Sequence, residues 1–327
     1  MNMKYRPSRI LWEKTSKHTA RILRIFGTVP TIDLPLQIAG CTVTEIGNYC
    51  FSKTCHLPDQ YQIEIYAKEP DTELCGNYLT SVSFPESVIK IGDYAFYDCR
   101  SLTCITFGKK LTKIGSDAFM NCYKLNQLEL KCAPSEKSGL FWILSQITWD
   151  VQVYFLDPLQ KEHVYSVLFY PEYYEAFDEI APAHIFGRKI VGEGFRARQS
   201  FQDGIVDYAR YDSIFQKACA EESESTLCHI AFFRLCYPVC LSSEKKIQYE
   251  TYIRAHGYIL CKFLVKEQRL SPLLFLFRQK LLERKDTAYA ISLAAQSGWS
   301  EGSASMLRWK HQFYPTSLHS RYELDDL

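Results

Sequence analysis

The sequence predicts an α/β protein in which a repeat solenoid is followed by a mixed α+β segment and an all-α helical array. Three observations lead to this fold class: a segment that recurs after 23 residues, the loss of that period near Leu140, and helical spacing of apolar residues from Asp207 onward. The predicted parts are a solenoid with an N-terminal cap strand at 1–139, a cap with an aromatic, arginine-rich segment at 140–206, a helical array at 207–313 and a tail at 314–327.

The composition is that of a globular protein and shows no sign of a polyanionic partner. Of the 327 residues, 47% are apolar and 23% are charged, which excludes a disordered or collagen-like chain. The 38 Lys and Arg residues balance the 37 Asp and Glu residues, so no excess of positive charge indicates nucleic acid as a partner. The 13 cysteines are the unusual feature.

The N-terminal region predicts a strand rather than an export signal. Arg21 and Arg24 interrupt the apolar stretch over residues 20–26, and no apolar run of about 7–15 residues is present there. No window of the chain reaches the roughly 18 apolar residues of a membrane span. We therefore expect a cytoplasmic protein with reduced thiols and no membrane span.

The cysteines and histidines lack the spacing of metal ligands. No C-x-x-C and no H-E-x-x-H occurs, so we predict no metal and no cofactor. A nucleophile elbow and a phosphate-binding loop are also missing from the sequence, and the prediction is that the protein is not an enzyme.

The repeat is visible in the segment LTSVSFPESVIKIGDYAFYDC, which starts at Leu79 and recurs as LTCITFGKKLTKIGSDAFMNC from Leu102. A third copy starts at Leu125, and an earlier copy, VTEIGNYCFSKTC, begins at Val43. Such short units cannot bury their own apolar faces, so they are expected to stack into a solenoid over roughly residues 38–130.

The residue types within each unit predict its local structure. The alternation in L-x-x-I-x-F predicts a short strand with one buried face, and I-G-x-x-A-F-x-x-C then returns on the other side. Gly92 and Gly115 are expected where a side chain would obstruct the backbone. Phe96 and Phe119 are predicted to fill the space between the layers, with a cysteine of each unit beneath the next strand.

These runs resemble the BspA-like class of leucine-rich repeats. ESVIKIGDYAFYDCRSLTCITF and KLTKIGSDAFMNCYKLNQLEL match its pattern nearly position by position. The resemblance implies a non-enzymatic, protein-binding solenoid in which Cys99 and Cys122 occupy the motif cysteine. Many members of this class are exported surface proteins. This sequence differs from them in that no export signal is recognised in it.

The outward residues of the strands are the candidate binding surface. Register predicts this surface as Gln62, Glu64, Ser81, Ser83, Cys104, Thr106, Gln127, Glu129 and Lys131. Either it contacts a protein partner, or it is an ordinary solvated sheet surface. Cys104 is the one thiol expected to be accessible there.

The middle segment offers a second candidate. Residues 151–156 read as a strand, and a strand broken by Pro171 is expected to lead into a short aromatic helix. In FRARQSF, strand-like alternation would place Arg196 and Arg198 on one face, with Arg188 nearby, as an anion site. The alternative is that these arginines are simply paired with nearby acidic residues. PEYYEAF and GEGFRARQSF are also similar to a segment after the repeats in leucine-rich repeat proteins of gut Firmicutes.

The C-terminal third predicts helices. Their expected ranges are 207–220, 224–237, 243–266, 272–284, 287–297 and 300–311. The last two resemble a degenerate ankyrin-type hairpin, and an ordinary antiparallel helix pair explains them equally well. The cysteines of this region are expected in the core: Cys219, Cys228, Cys236, Cys240 and Cys261.

Two functions follow from these predictions. The first is a non-catalytic protein–protein interaction scaffold that binds through the solenoid and the helical region. The alternative is an anion- or nucleotide-binding or catalytic middle domain around Arg188, Arg196 and Arg198, with the solenoid as its adaptor.

Overall fold

The computed structural model describes residues 5–67, 72–160, 163–180 and 185–313, so the predicted tail at 314–327 lies outside the described residues. The chain divides into two compact units, Met1–Lys217 and Ala218–Leu327. The first unit contains both the predicted solenoid and the predicted middle segment.

The described strands all lie in the first unit. They are β1 (Arg9–Ser16), β2 (Thr19–Gly27), β3 (Thr31–Asp33), β4 (Gln37–Ile38), β5 (Cys41–Ile46), β6 (Gln62–Ile65), β7 (Thr72–Glu73), β8 (Ser81–Ser83), β9 (Lys90–Ile91), β10 (Cys104–Gly108), β11 (Lys113–Ile114), β12 (Gln127–Lys131), β13 (Val151–Leu156), β14 (Val164–Tyr170), β15 (Tyr174–Ile180), β16 (Ile185–Val191), β17 (Phe201–Gln202) and β18 (Ile205–Val206).

The described α-helices all begin after β12. They are α1 (Leu140–Leu144), α2 (Gly194–Ala197), α3 (Tyr208–Glu221), α4 (Glu224–Cys236), α5 (Ser243–Lys266), α6 (Leu270–Arg278), α7 (Arg284–Gln296) and α8 (Ser300–Phe313).

A six-stranded sheet forms one side of the solenoid. Its order is β14-β13-β12-β10-β8-β3, and the strands from β13 to β3 pair in parallel, while β14 is antiparallel to β13. The inward residues stand in register along it, since Val82 pairs with Ile105 and Ile105 with Leu128, and all three are fully buried. The predicted solenoid is confirmed, and its strands have the alternation that the repeat required.

An eight-stranded sheet forms the other side. Its main path is β11-β9-β5-β2-β1-β6, with β4 beside β5 and β7 beside β2. Strands β5, β9 and β11 are parallel and carry the Ile of the I-G motif, whereas β1 and β2 form an antiparallel hairpin at the N-terminal end of the solenoid. The strand predicted at residues 20–26 is β2.

Aromatic side chains fill the space between the two sheets, as predicted. The ring of Phe96 stacks between those of Phe51 and Phe119, with centroid distances of 4.6 Å and 5.5 Å. All three are fully buried. A continuous column of stacked rings therefore links the units through the core.

A column of polar groups explains the glycines of the I-G motif. The backbone N–H of Asp93 donates to Asn48 Oδ1 at 2.9 Å, and the N–H of Ser116 donates to Asp93 Oδ1 at 2.8 Å. A Cβ atom on Gly92 would lie 2.4 Å from Asn48 Oδ1, and one on Gly115 would lie 2.4 Å from the backbone nitrogen of Asp93. The glycine is required because the neighbouring unit approaches too closely for a side chain.

The last unit is covered by the segment that contains α1. Gln146 accepts a hydrogen bond from the N–H of Ala118 and donates one to the carbonyl of Gly115, at 3.0 Å and 2.8 Å. Trp149 Nε1 donates to the carbonyl of Leu125 at 2.7 Å. These side chains satisfy backbone groups that a further repeat would otherwise have satisfied.

Two predictions for the middle segment are wrong. The aromatic helix expected after Pro171 is strand β15, which pairs antiparallel with β16. The FRARQSF run does not alternate as a strand, because residues 194–197 form the short helix α2. Aromatic residues spaced at i and i+3 fit either element, and pairing with β16 decided the outcome.

The second unit contains helices α4 to α8. Helix α5 packs against α4, α6 and α7, while α8 packs against α6 and α7. The serine caps were predictable: Ser223 accepts from Thr226 N–H, and Ser242 from Lys245 N–H. Helix α6 ends at Arg278, not at residue 284 as predicted, because Glu283 and Asp286 form a capping box that starts α7.

The cysteines of the helical region only partly match the prediction. Cys228 and Cys261 are buried, as expected. Cys236 is half-buried, and Cys219 and Cys240 are exposed, so the prediction of core positions is wrong for those two. In the structure each of the 13 cysteines is a free thiol.

Candidate functional site

The parallel register of the six-stranded sheet brings polar side chains of distant segments into rows. Cys104 lies between Ser81 and Gln127, and Thr106 between Ser83 and Glu129. These rows alternate with the buried Ile and Leu positions, so they share the outer surface of the sheet. We call this surface the ladder face; its members are Thr31, Asp33, Ser81, Ser83, Cys104, Thr106, Gln127, Glu129, Lys131, Gln152 and Tyr154.

Gln62 and Glu64 do not lie on the ladder face, so their predicted placement is wrong. They belong to β6, which pairs antiparallel with β1 at the edge of the other sheet. The segment was assigned by its alternating apolar residues, but that alternation fits the edge of either sheet.

The ladder face extends further than the sequence indicated. Thr31 and Asp33 pair with Ser81 and Ser83 at one end, and Gln152 and Tyr154 lie beyond β12 at the other. The missed signal is the run T-I-D-L-P at residues 31–35, which has the alternation of S-V-S-F-P at 81–85. The offset is 50 residues instead of 23, because β6 and β7 lie in an insertion between the two runs.

The polar groups at the centre of the ladder face are ordered by one another. Glu129 accepts hydrogen bonds from Thr106 Oγ1 and Gln127 Nε2, each at 2.7 Å. Lys131 Nζ reaches Ser83 Oγ at 3.4 Å, across the intervening strand β10. This network fixes the positions of side chains that would otherwise sample several rotamers, so the surface is organised before any partner binds.

Cys104 lies on the ladder face as predicted, but it is half-buried rather than fully accessible. Burial, with a smaller contribution from the Glu129 carboxylate, raises the pKa of the Cys104 thiol to about 12. The thiolate is the reactive form, so this cysteine is a weak nucleophile near neutral pH.

The three arginines of the predicted anion site are not brought together. Arg188 is exposed and paired with Glu175 on the neighbouring strand, and Arg196 is paired with Glu193, the N-cap residue of α2. Arg198 points into the interior and is 2% exposed. The anion- or nucleotide-binding alternative is therefore not supported.

Arg198 has a structural role instead. Its guanidinium donates to the carbonyls of Ile147, Trp149, Pro171 and Gly194 at 2.5–2.9 Å. Burial lowers the pKa of Arg198 to about 10, which leaves the side chain charged at neutral pH. Five donors on one planar group suit a site where several carbonyls converge, and here they join α2 to the segments before β13 and after β14.

Other classes of site are not evident in the described part of the chain. Within residues 5–67, 72–160, 163–180 and 185–313, no cluster of three or more His, Cys, Asp or Glu side chains is placed to hold a metal ion. None of the helices described above combines the length and the apolar character needed to cross a bilayer.

The geometry defines a class of repeat protein: a solenoid with a parallel ladder on one side and a second, shorter column of parallel strands on the other. Residues 70–147 match the family model described as the BspA type leucine rich repeat region, six copies. Over these residues the chain is similar to BspA-type leucine-rich repeats, and the repeats form a solenoid. A search of the curated proteins found no match.

Two solved bacterial structures are similar to part of the chain. One is a leucine rich cell surface protein from Faecalibacterium prausnitzii, with 24% identity, a TM-score of 0.28, and coverage of 40% of this chain and 34% of that one. The other is the leucine rich repeat protein of T. pallidum, with 22% identity, a TM-score of 0.22, and coverage of 36% and 67%. The match spans about a third of the length of the first.

Proposed function

We propose that the protein is a non-catalytic interaction scaffold that binds a partner protein through the ladder face, with the helical region as a second contact. The single observation that supports this most directly is the network that holds Gln127, Glu129 and Lys131 in fixed positions. A surface with ordered polar groups loses less conformational entropy on binding than a mobile one.

The absence of a catalytic role is part of the proposal. Among the described ladder residues, Cys104 is the one thiol, and burial keeps it protonated. No histidine stands beside it on the ladder face that could act as a general base. A cytoplasmic location also stays a prediction, supported by the free state of the cysteines.

The test compares capture of partners from the source cell by three forms of the tagged protein. The Gln127/Glu129/Lys131 triple alanine variant removes one neutral, one acidic and one basic side chain from the ladder face. The matched control, a Glu86/Lys110/Thr112 triple alanine variant, removes the same kinds of side chain from exposed positions elsewhere on the solenoid.

We expect a partner that wild type and control capture and the ladder variant loses by at least tenfold. Titration of the purified partner should reproduce that difference. Equal capture by all three forms, or no capture above the tag alone, would contradict binding through the ladder face. Circular dichroism establishes that each variant is folded.

A further inference from the structure

The eight-stranded sheet has an open edge at β6. This strand pairs with β1 on one side, and none of the described strands pairs with it on the other. At the opposite edge of the sheet, Gln146 bonds to Gly115 and Ala118, directly after β11. A strand edge without a cover presents unpaired backbone donors and acceptors to other strands.

The register shows which backbone groups are unpaired. The N–H of Tyr66 donates to the carbonyl of Ser8 at 2.8 Å, so the even-numbered residues of β6 direct their backbone groups toward β1. Hydrogen-bonded positions alternate along an antiparallel pair. The N–H and C=O groups of Ile63 and Ile65 therefore point away from the sheet, in the plane where another strand would lie.

The side chains at this edge are apolar and exposed. Ile63 is 52% exposed, Ile65 is 62% exposed, and Tyr61, which precedes them on the same face, is 42% exposed. Exposed edges in soluble proteins usually carry lysine, proline or a bulge that prevents pairing, whereas β6 is Q-I-E-I with a single charge.

We propose that β6 pairs antiparallel with β6 of a second copy of this chain, about a two-fold axis at Ile63. Such an interface is self-complementary, because the same strand supplies both sides. It uses the backbone groups that point outward and buries the apolar side chains of Tyr61, Ile63 and Ile65 against their counterparts.

The residues of β6 favour this register over one centred on Glu64 or Ile65. An axis at Ile63 places Gln62 opposite Glu64 of the second copy, a pair that can form a hydrogen bond. An axis at Glu64 would place two carboxylates directly opposite each other, which is destabilising. An axis at Ile65 would leave half of the pairing beyond the last residue of the strand.

The proposed interface produces a dimer and no larger assembly, and it is small. Each copy uses its β6 edge once, so the pairing stops at two chains. A few residues on each side bury less than the roughly 1,200 Å² typical of stable complexes, and the dimer is accordingly expected to be concentration-dependent.

The test is sedimentation equilibrium of the full chain from about 1 µM to about 500 µM, a range that brackets micromolar affinity. We expect a monomer–dimer equilibrium in the wild type. Ile63→Lys places two ammonium groups opposite each other and should weaken dimerisation at least tenfold. Ile247→Lys, at a position in α5 that is 64% exposed, is the matched control and should leave it unchanged.

Two substitutions at Gln62 test the register. Gln62→Lys sets a positive charge opposite Glu64 and should strengthen the dimer, while Gln62→Glu sets two acids opposite each other and should weaken it. A wild type that stays monomeric, a dimer that Ile63→Lys does not weaken, or Gln62 variants that shift affinity in the same direction would each overturn the proposal.

Discussion

The Sγ atom of Cys122 donates a hydrogen bond to the carbonyl oxygen of Phe96 at 3.1 Å, and Cys99 makes the same bond to the carbonyl of Phe51. Each motif cysteine thus contacts the backbone of the aromatic residue in the preceding unit. A thiol is small enough for this space and supplies a weak donor to a buried carbonyl. The cysteine of the repeat links neighbouring units, which accounts for part of the unusual cysteine content.

The column of stacked rings predicts a large loss of stability on truncation. Phe119→Ala removes a fully buried ring that stacks on Phe96 at 5.5 Å, and we expect a cost on the order of 3–5 kcal/mol in the free energy of unfolding. The adjacent Met120, 46% exposed, supplies the control Met120→Ala. Urea unfolding followed by fluorescence measures both. Equal midpoints for the two variants would refute the assignment of the core.

The close approach at the I-G motif predicts that even one methyl group is harmful. In Gly115→Ala the new Cβ would lie 2.4 Å from the Asp93 backbone nitrogen, so neighbouring units must move apart. We expect a loss of about 1–3 kcal/mol or more, as is typical of overpacking. The exposed Lys113, in the same strand pair, serves as the control Lys113→Ala. Thermal unfolding that gives the same Tm for Gly115→Ala and wild type would show that the units are not so closely packed.

The buried guanidinium predicts a sharp contrast between two arginines. Arg198→Lys replaces a planar group that donates to four carbonyls with a single ammonium, and several carbonyls lose their partner. A loss of about 3–5 kcal/mol is expected. Arg188→Ala, which breaks an exposed ion pair, should cost less than about 1 kcal/mol. If chemical denaturation shows similar stability for the two variants, the structural role of Arg198 is wrong.

Differences in burial predict the order in which thiols react. Burial raises the pKa of Cys104, Cys122, Cys132 and Cys228 to about 12, whereas Cys219 and Cys240 are exposed. With iodoacetamide at pH 8, we expect Cys219 and Cys240 to be alkylated first, as measured by mass spectrometry of peptides over time. Protein unfolded in urea is the control, and all of its cysteines should react at similar rates. Alkylation of Cys104 as fast as Cys240 would contradict the burial of the ladder face.

The buried thiols of Cys122 and Cys132 predict that the protein becomes less stable at alkaline pH. Their pKa in the folded protein is about 12, above the value of about 8.5 in an unfolded chain. Their contribution to stability is therefore fully present below pH about 8.5 and is lost as the pH rises toward 12. Urea midpoints should decrease between pH 8 and pH 10. Midpoints that increase over this range would show that another group dominates.

Most of the ladder face was predictable because neighbouring repeats share one period. Ser81, Cys104 and Gln127 follow each other at a spacing of 23 residues, and strand alternation then decides which of their neighbours point inward. Gln62 and Glu64 were misplaced because the first unit contains an insertion. Alternation of apolar and polar residues predicts that a strand exists, but it does not predict which strand pairs with it.

The prediction for the arginine-rich segment was wrong for a different reason. Strand-like alternation in FRARQSF predicts Arg198 on the same face as Arg196, but residues 194–197 form a helix and Arg198 is buried. Its burial depends on carbonyls of Ile147, Trp149 and Pro171, which come from segments 27 to 51 residues away along the chain. Only the folded backbone brings these acceptors to one point.

The sequence by itself determined the solenoid, the stacked phenylalanines and most helix boundaries, since these depend on periods and caps within one unit or one helix. Tertiary structure decided that Thr31 and Asp33 begin the ladder face, that β6 forms an open edge and that Arg198 is structural. The physical reason is the range of the interactions. Periodicity records local burial, whereas strand partners and buried polar contacts are set by competition among segments far apart in the chain.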